Sequence, residues 1–280
     1  METGTPSRTA WAAAAHRAAH QLLEHGRIFS DPLAVRILCQ DEASVARHAG
    51  ERPDGHFMRI FIACRTRFAE DTLANAVAAG VRQLVVLGAG LDTFAYRSPF
   101  AERLRIFEVD HPSTQAWKRQ LLDAAGIHIP EWLTFAPIDF ESQTLAAGLA
   151  GDGFDPAQPT FFTWLGVVPY LTAEAITSTL DFIAGLPNDA HVIFDYSDPP
   201  SSLSGEMRQR HAERAARVAE LGEPWISYFE APQLHTKLRS LGFSKIEDLG
   251  PAAIAARYFP NRPLQGNGNG GHVLHAARSA

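Results

Sequence analysis

The sequence predicts an α/β protein built on a mostly parallel sheet with helices on both faces. Three observations carry this. From residue 82 onward, apolar β-branched runs alternate with amphipathic helical stretches. The first run, "QLVVLGAGLDTFAYR", ends on Gly88-Ala89-Gly90. The next closes on "IFEVD", placing Asp110 at a strand tip about 20 residues later.

The elements follow in order. Residues 1–80 read as a helical segment, with Ala-rich or amphipathic stretches at 7–25, 31–39 and 56–79, broken at Gly26, Pro32 and Pro53. Asp31-Pro32 is a good helix start, because the carboxylate caps orphan amides and Pro suits the first helical position. Residues 81–280 then form the sheet domain, with strands at 83–88, 104–109, 132–137, 160–165, 191–196, 243–248 and 272–277. Helices near 112–125, 141–149, 172–185 and 230–240 lie between them. The connection at about 199–232 is too long for an ordinary loop and carries the helical "SGEMRQRHAERAARVAEL", so it is expected to be an inserted cap. "PNRPLQGNGNGG" is a loop before the last strand.

Composition narrows the function. The 280 residues are 46% hydrophobic, enough for a full core, and carry a formal charge of −6 with no basic block. A nucleic-acid partner is therefore not expected, and a small molecule is. No run reaches the length of a membrane span and the N-terminus lacks the order of a secretory signal, so a soluble cytoplasmic protein is expected. Cys39 and Cys64 are isolated and expected to be buried, reduced thiols, and no metal site is expected.

The glycine turn asks for a cofactor. A dinucleotide fingerprint needs a third glycine where this chain has Thr93, which disfavours a nicotinamide dehydrogenase. Asp110 can accept hydrogen bonds from both hydroxyls of a ribose. "FAPIDFES" puts Asp139 and Phe140 where an acid can receive an adenine amino group and a ring can cover the purine. Adenosine without a pyrophosphate cradle points to S-adenosylmethionine, with S-adenosylhomocysteine as its product.

"LVVLGAGLDTFAYR", "IFEVDHPSTQAWKR", "PIDF" and "PTFFTWLGVVPYLT" together resemble the leucine carboxyl methyltransferase family, including its bacterial O-methyltransferase branch tied to small-molecule metabolism. The resemblance runs from about Arg8 to Leu186 and more loosely through "HVIFDYSDP". It implies a seven-stranded Rossmann-like class I methyltransferase sheet with its last strand antiparallel, N-terminal helices and an inserted helical cap. It also implies that Arg65, in "CRTRFAED", holds the methionyl carboxylate of the cofactor, which a guanidinium matches with two parallel hydrogen bonds. Arg67 would face differently and form a salt bridge to Glu70 or Asp71 or a substrate contact. Gly88, Ala89, Gly90, Asp110, His111, Asp139, Phe140 and Trp164 complete the expected cofactor site. Eukaryotic members have a glutamate where this chain has Trp164, so the contact to the cofactor ammonium needs another source, and the indole could instead wall off the methyl group. The resemblance further implies a basic residue of the N-terminal segment near the cofactor, for which Arg17 in "AHRAAH" is the nearest candidate.

Methyl transfer from a sulfonium is an in-line displacement that needs alignment and exclusion of water. A carboxylate acceptor needs no base, and it is the first expectation. A phenolic hydroxyl or a nitrogen on the same scaffold is the second, and a phenol benefits from a base. Tyr170, Tyr196 and Tyr228, with Arg17, are the candidates to line the acceptor pocket. No general base is singled out among the 12 histidines, although His211 and His235 flank the cap. A scaffold protein that has lost the cofactor remains the reading from another class.

Overall fold

The computed structural model of the chain describes residues 7–50, 55–139, 143–260 and 269–279. Its centre is a seven-stranded sheet: β1 (Gln83–Leu87), β2 (Arg105–Asp110), β3 (Leu133–Pro137), β4 (Thr160–Trp164), β5 (Ala190–Ser197), β6 (Lys245–Leu249) and β7 (Gly271–Arg278). The spatial order is β3-β2-β1-β4-β5-β7-β6. The first five strands are parallel, and β7 inserts antiparallel between β5 and β6. Order reverses between β1 and β4, so the crevice at their C-terminal tips is where such a sheet takes a ligand.

The sheet is buried on both faces because neighbouring side chains on one strand point oppositely. Phe161 and Phe162, both fully buried, show this. Phe161 packs with Cys64, Phe68 and Leu73 of α3 (Gly55–Ala79), whereas Phe162 packs with Leu180 and Ile183 of α7 (Ala173–Ala184). Burying each ring contributes about 1.5–3 kcal/mol. At the N-terminus, α1 (Arg8–Leu23) starts on a Ser7 cap whose hydroxyl accepts from the Ala10 N–H, and its alanine stripe Ala14, Ala18 and Ala19 packs with Leu91 and Ile37. The cap helix α8 (Gly205–Glu220) and α9 (Ala231–Ser240) complete the cap side.

The structure departs from expectation in a few elements. Residues 31–39 form turns and one 3-10 turn, Arg36–Leu38, rather than a helix, and the chain leaves it at Cys39 in the left-handed region with φ 50°, which leaves that cysteine exposed where burial was expected, whereas Cys64 is buried. Asp31 does cap Leu33 through Oδ1, but its Oδ2 is bound by Arg17 and Thr93, so the start is tied to distant groups instead of leading a helix. Sequence reading passes over α2 (Glu42–Gly50), the single turn α4 (Phe94–Arg97) and α10 (Pro251–Tyr258). Pro251 at the first position of α10 is the start signal that marks it. The other helices, α5 (Pro112–Ala124) and α6 (Leu145–Ala150), lie near their expected places. No helix among the described residues is long and apolar enough to cross a membrane.

Candidate active site

Beyond β1 the chain turns through Gly88 (φ 64°) and Gly90 (φ 45°), a conformation that penalises any side chain. Close approach adds a second reason for glycine. A Cβ on Gly88 would lie 2.3 Å from Val167, and one on Gly90 would lie 3.0 Å from Ala10 in the first turn of α1. Both glycines are therefore explained in part by the chain's own packing. The Gly90 N–H donates to Asp110 Oδ2 at 2.6 Å, and the His111 N–H donates to Oδ1 at 2.7 Å. Burial pushes the Asp110 carboxyl up while these two N–H groups pull it back down. Each oxygen accepts one backbone bond, which leaves lone pairs for two further donors such as a cis-diol. The Ala89 N–H is committed to the Val109 carbonyl at 3.0 Å.

Arg65, 7% exposed on α3, reaches the tips of β4 and β5. Its Nη1 donates to Asp195 Oδ2 at 2.6 Å, and Asp195 Oδ1 takes the Gly166 N–H at 2.5 Å. Gly166 (φ 74°) gives the guanidinium room, since a Cβ there would sit 2.8 Å from Arg65 Nη2. Buried Arg65 Nε makes no hydrogen bond among the described residues. With one end of the guanidinium fixed by Asp195, the Nε side remains available to a carboxylate, the ligand such a fork matches. Arg67 pairs with Asp71 at 2.7 Å, one of the two partners anticipated.

Several expected residues have other work. Arg17 does not line a pocket: it is 8% exposed, its Nε donates to Asp31 at 2.8 Å and its Nη2 to the Leu91 carbonyl at 2.6 Å. It braces the glycine turn from behind, together with Thr93, whose hydroxyl donates to Asp31, and Arg97, which pairs with Asp31 and Glu70. The position of the missing third glycine is thus filled by a buried hydroxyl with a partner. Asp92 accepts the Phe94 N–H at 2.8 Å and caps α4. The His111 imidazole caps α5, accepting the Ser113 N–H at 3.2 Å. The Trp164 indole, 2% exposed, packs edge-on against Phe194 in the core, so it does not wall off the strand tips. Tyr196, 1% exposed, also points inward: its hydroxyl donates to Asp248 at 2.6 Å and lies 3.1 Å from His272 Nδ1. Asp139 stands just beyond β3, its N–H donating to Gln143 Oε1 at 3.2 Å. Phe140 lies outside the described residues.

Tyr170 does reach the cap side. Its hydroxyl is hydrogen-bonded with Trp225 and Thr9, and burial raises its pKa. Glu223 clasps the same corner, accepting from Ser7 Oγ (3.0 Å), the Arg8 N–H (2.9 Å) and Thr9 Oγ1. Tyr228 lies against His211 of α8, ring centroids 5.4 Å apart. Sequence reading missed Asp195, Glu223 and Trp225. Asp195 carried a usable signal, an acid near the end of a buried strand as at Asp110, whereas the other two sit in a segment with no periodicity.

Residues 10–184, well over half the chain, match the leucine carboxyl methyltransferase family. YktD of Bacillus subtilis, provisionally named an S-adenosyl-L-methionine-dependent methyltransferase, is 36% identical over 200 residues, 71% of this chain and 66% of that protein. A Mycolicibacterium smegmatis protein with the same provisional name is 33% identical over 213 residues, 74% of this chain and 62% of the relative. The chain spans about half to two thirds of the length of the curated relatives it matches. Among solved structures, a provisionally assigned methyltransferase from Thermobifida fusca superposes with a TM-score of 0.58 at 15% identity, covering 100% of this chain and 97% of that one. A DUF574 family protein from Streptomyces avermitilis gives 0.55 at 16% identity, covering 94% and 97%. At such identities the likeness shows a shared fold, the class I methyltransferase sheet.

Proposed function

Because the chain belongs to the leucine carboxyl methyltransferase family, we propose that it is an S-adenosylmethionine-dependent O-methyltransferase acting on a small-molecule acceptor. The observation that carries this reading is the buried Arg65 guanidinium, fixed at one end by Asp195 and with Nε unpartnered, at the same sheet edge as Asp110. The pair suits the carboxylate and the ribose of one adenosyl cofactor. Bound there, S-adenosylmethionine supplies an electrophilic methyl group on a sulfonium. In this reading Arg65 holds the methionyl carboxylate, Asp110 the ribose hydroxyls, and Asp139 with Phe140 the adenine side. Asp195 offers the anion for the cofactor ammonium, in place of the family glutamate that Trp164 replaces. Ala10, Val167 and Tyr170 keep water from the strand tips.

Oxygen is the acceptor atom favoured by the family's carboxyl chemistry. A carboxylate, ionised at neutral pH, needs only alignment. A hydroxyl acceptor also needs a group to take its proton, and the unpartnered His211 Nε2 favours that second reading.

Calorimetric titration with S-adenosylmethionine, S-adenosylhomocysteine and NAD tests the cofactor. The first two are expected to bind, and Arg65→Ala and Asp110→Ala each to weaken them about 10- to 100-fold, the loss of hydrogen bonds to a charged group. Binding of NAD without S-adenosylhomocysteine would overturn the proposal.

A further inference from the structure

Helix α8 turns an unusual stripe toward the body. Met207, His211, Arg214, Ala215 and Val218 are its half-buried positions, following one helical face, while the residues between them are exposed. A helix held on by packing alone would place aliphatic residues at every one of these positions. Here a histidine and an arginine occupy the middle. Arg214 has an evident place: its guanidinium lies over the Phe57 ring at 5.0 Å and 3.8 Å from Met58 Sδ, docking α8 on α3. His211 has no such explanation. Its ring sits between Trp225 and Tyr228, at centroid distances of 5.3 and 5.4 Å, and its Nε2 is buried without a hydrogen-bond partner among the described residues. A buried polar atom left so is destabilising unless a ligand satisfies it.

The surroundings say where that ligand lies. The loop that carries Trp225 and Tyr228 is tied to the turn after β4, where the Ile226 and Ser227 N–H groups both donate to the Pro169 carbonyl (2.7 and 3.1 Å). Gly166, at the start of that turn, lies against Arg65, so the loop and the proposed cofactor site share one end of the sheet. We propose that His211, Trp225 and Tyr228 form the acceptor subsite, taking a flat aromatic ring whose hydroxyl donates to His211 Nε2. This rests on the methyltransferase reading above. The proton step balances simply: the acceptor O–H bond breaks, its proton bonds to His211 Nε2, and the electron pair stays on the acceptor oxygen, which becomes the nucleophile. The imidazolium returns its proton to solvent after turnover. Burial and Arg214 both lower the His211 pKa, so the ring is neutral and ready to accept at pH 7. The other titratable or charged groups that face it are Arg214 on the same helix and Tyr228 on the following loop.

The test uses 4-nitrophenol, whose anion absorbs in the visible, and benzoate, which has no proton to lose at neutral pH. Both are titrated into full-length protein saturated with S-adenosylhomocysteine, for wild type, His211→Gln and His211→Phe. Wild type is expected to bind 4-nitrophenol more tightly than benzoate and to raise its apparent pKa by about one unit, a tenfold shift, because a neutral imidazole accepts from the phenol but offers nothing to its anion. In His211→Gln the amide can accept from the phenol or donate to its anion, so binding is expected within about threefold of wild type while the pKa shift disappears. In His211→Phe affinity is expected to fall at least about tenfold. Unchanged S-adenosylhomocysteine affinity in both variants certifies their fold and leaves the cofactor reading intact. Tighter binding of benzoate, or a nitrophenol pKa shift that survives in His211→Gln, overturns the subsite. Failure of wild type to bind S-adenosylhomocysteine overturns the methyltransferase reading instead.

Discussion

Behind the glycine turn the buried polar groups are arginines and carboxylates; at the root of the cap they are histidines, carboxylates and a tyrosine. In the first network Arg17 and Arg97 converge on Asp31, with Thr93 and Glu70 beside them. Burial drives the Asp31 carboxyl up, but Arg17 and Arg97 together hold it below the usual carboxylate range. In the second, His272 lies between Asp248 (3.0 Å) and Asp198 (3.2 Å), while Asp248 also takes Tyr196 and His235. Burial lowers the His272 pKa, yet the hydrogen bond and charge of Asp248, helped by Asp198, raise it overall. Arginine keeps its charge at any pH a protein meets, so the brace behind the glycine turn loosens only as its carboxylates protonate, Glu70, whose pKa burial raises, before Asp31, whose arginines hold it low. Histidine does not, and the clasp at Asp198, where β5 gives way to the cap, responds to pH.

The sharpest way to break this contrast is Asp31→Ala. It leaves two buried guanidinium groups without their shared carboxylate, and it is expected to cost about 3–5 kcal/mol, read from the urea midpoint. S-adenosylhomocysteine affinity is expected to fall with it, because Arg17 then loses the partner that aims it at the Leu91 carbonyl. A loss under about 1 kcal/mol would mean that the turn holds itself.

His272→Gln probes the other network with a smaller and pH-dependent cost. A base whose pKa is raised on folding stabilises fully below its unfolded value near 6.5, and that stability is lost as pH climbs through the folded pKa. The variant is therefore expected to be about 1–2 kcal/mol less stable than wild type at pH 6, and the gap to narrow by pH 9. The difference between the two proteins is the diagnostic. Three residues along the same strand, His275 is held neutral by burial, with His191 and Lys245 helping to bring its pKa to about 3, and it pulls stability the opposite way, down with falling pH. A gap that stays constant across this range would show that His272 acts by shape alone. The smallest effect belongs to Arg67→Ala on the surface of α3. Its pair with Asp71 is half-exposed at both ends, and less than about 0.5 kcal/mol is expected, vanishing in high salt.

The same contrast explains what could be read in the sequence. The strands were legible because Val, Ile, Leu and Phe runs of five to eight residues are bounded by turns, and with them the place of Asp110 at the tip of β2. Tyr196 was misjudged for a geometric reason. On a strand buried on both faces, apolar character marks neither side, and alternation alone separates Asp195, which meets Arg65, from Tyr196, which meets Asp248. Trp164 was misjudged the same way. Arg17 looked like a ligand contact because the sequence does not show that Asp31, 14 residues on, folds back beneath it. Glu223 and Trp225 were invisible because what defines them is contact with α1 and Tyr170, far away along the chain.

That distance has a consequence for synthesis. The first turn of α1 crowds the glycine turn, yet its clasp, Glu223, follows it in the chain by more than 200 residues. On the ribosome α1 emerges before the strands and the cap, and waits for its fastener until both have been made. Local pairings form early and such distant ones late. A nascent chain can thus assemble the central strands before α1 is clasped over the glycine turn, and the proposed cofactor site is among the last parts of the molecule to close.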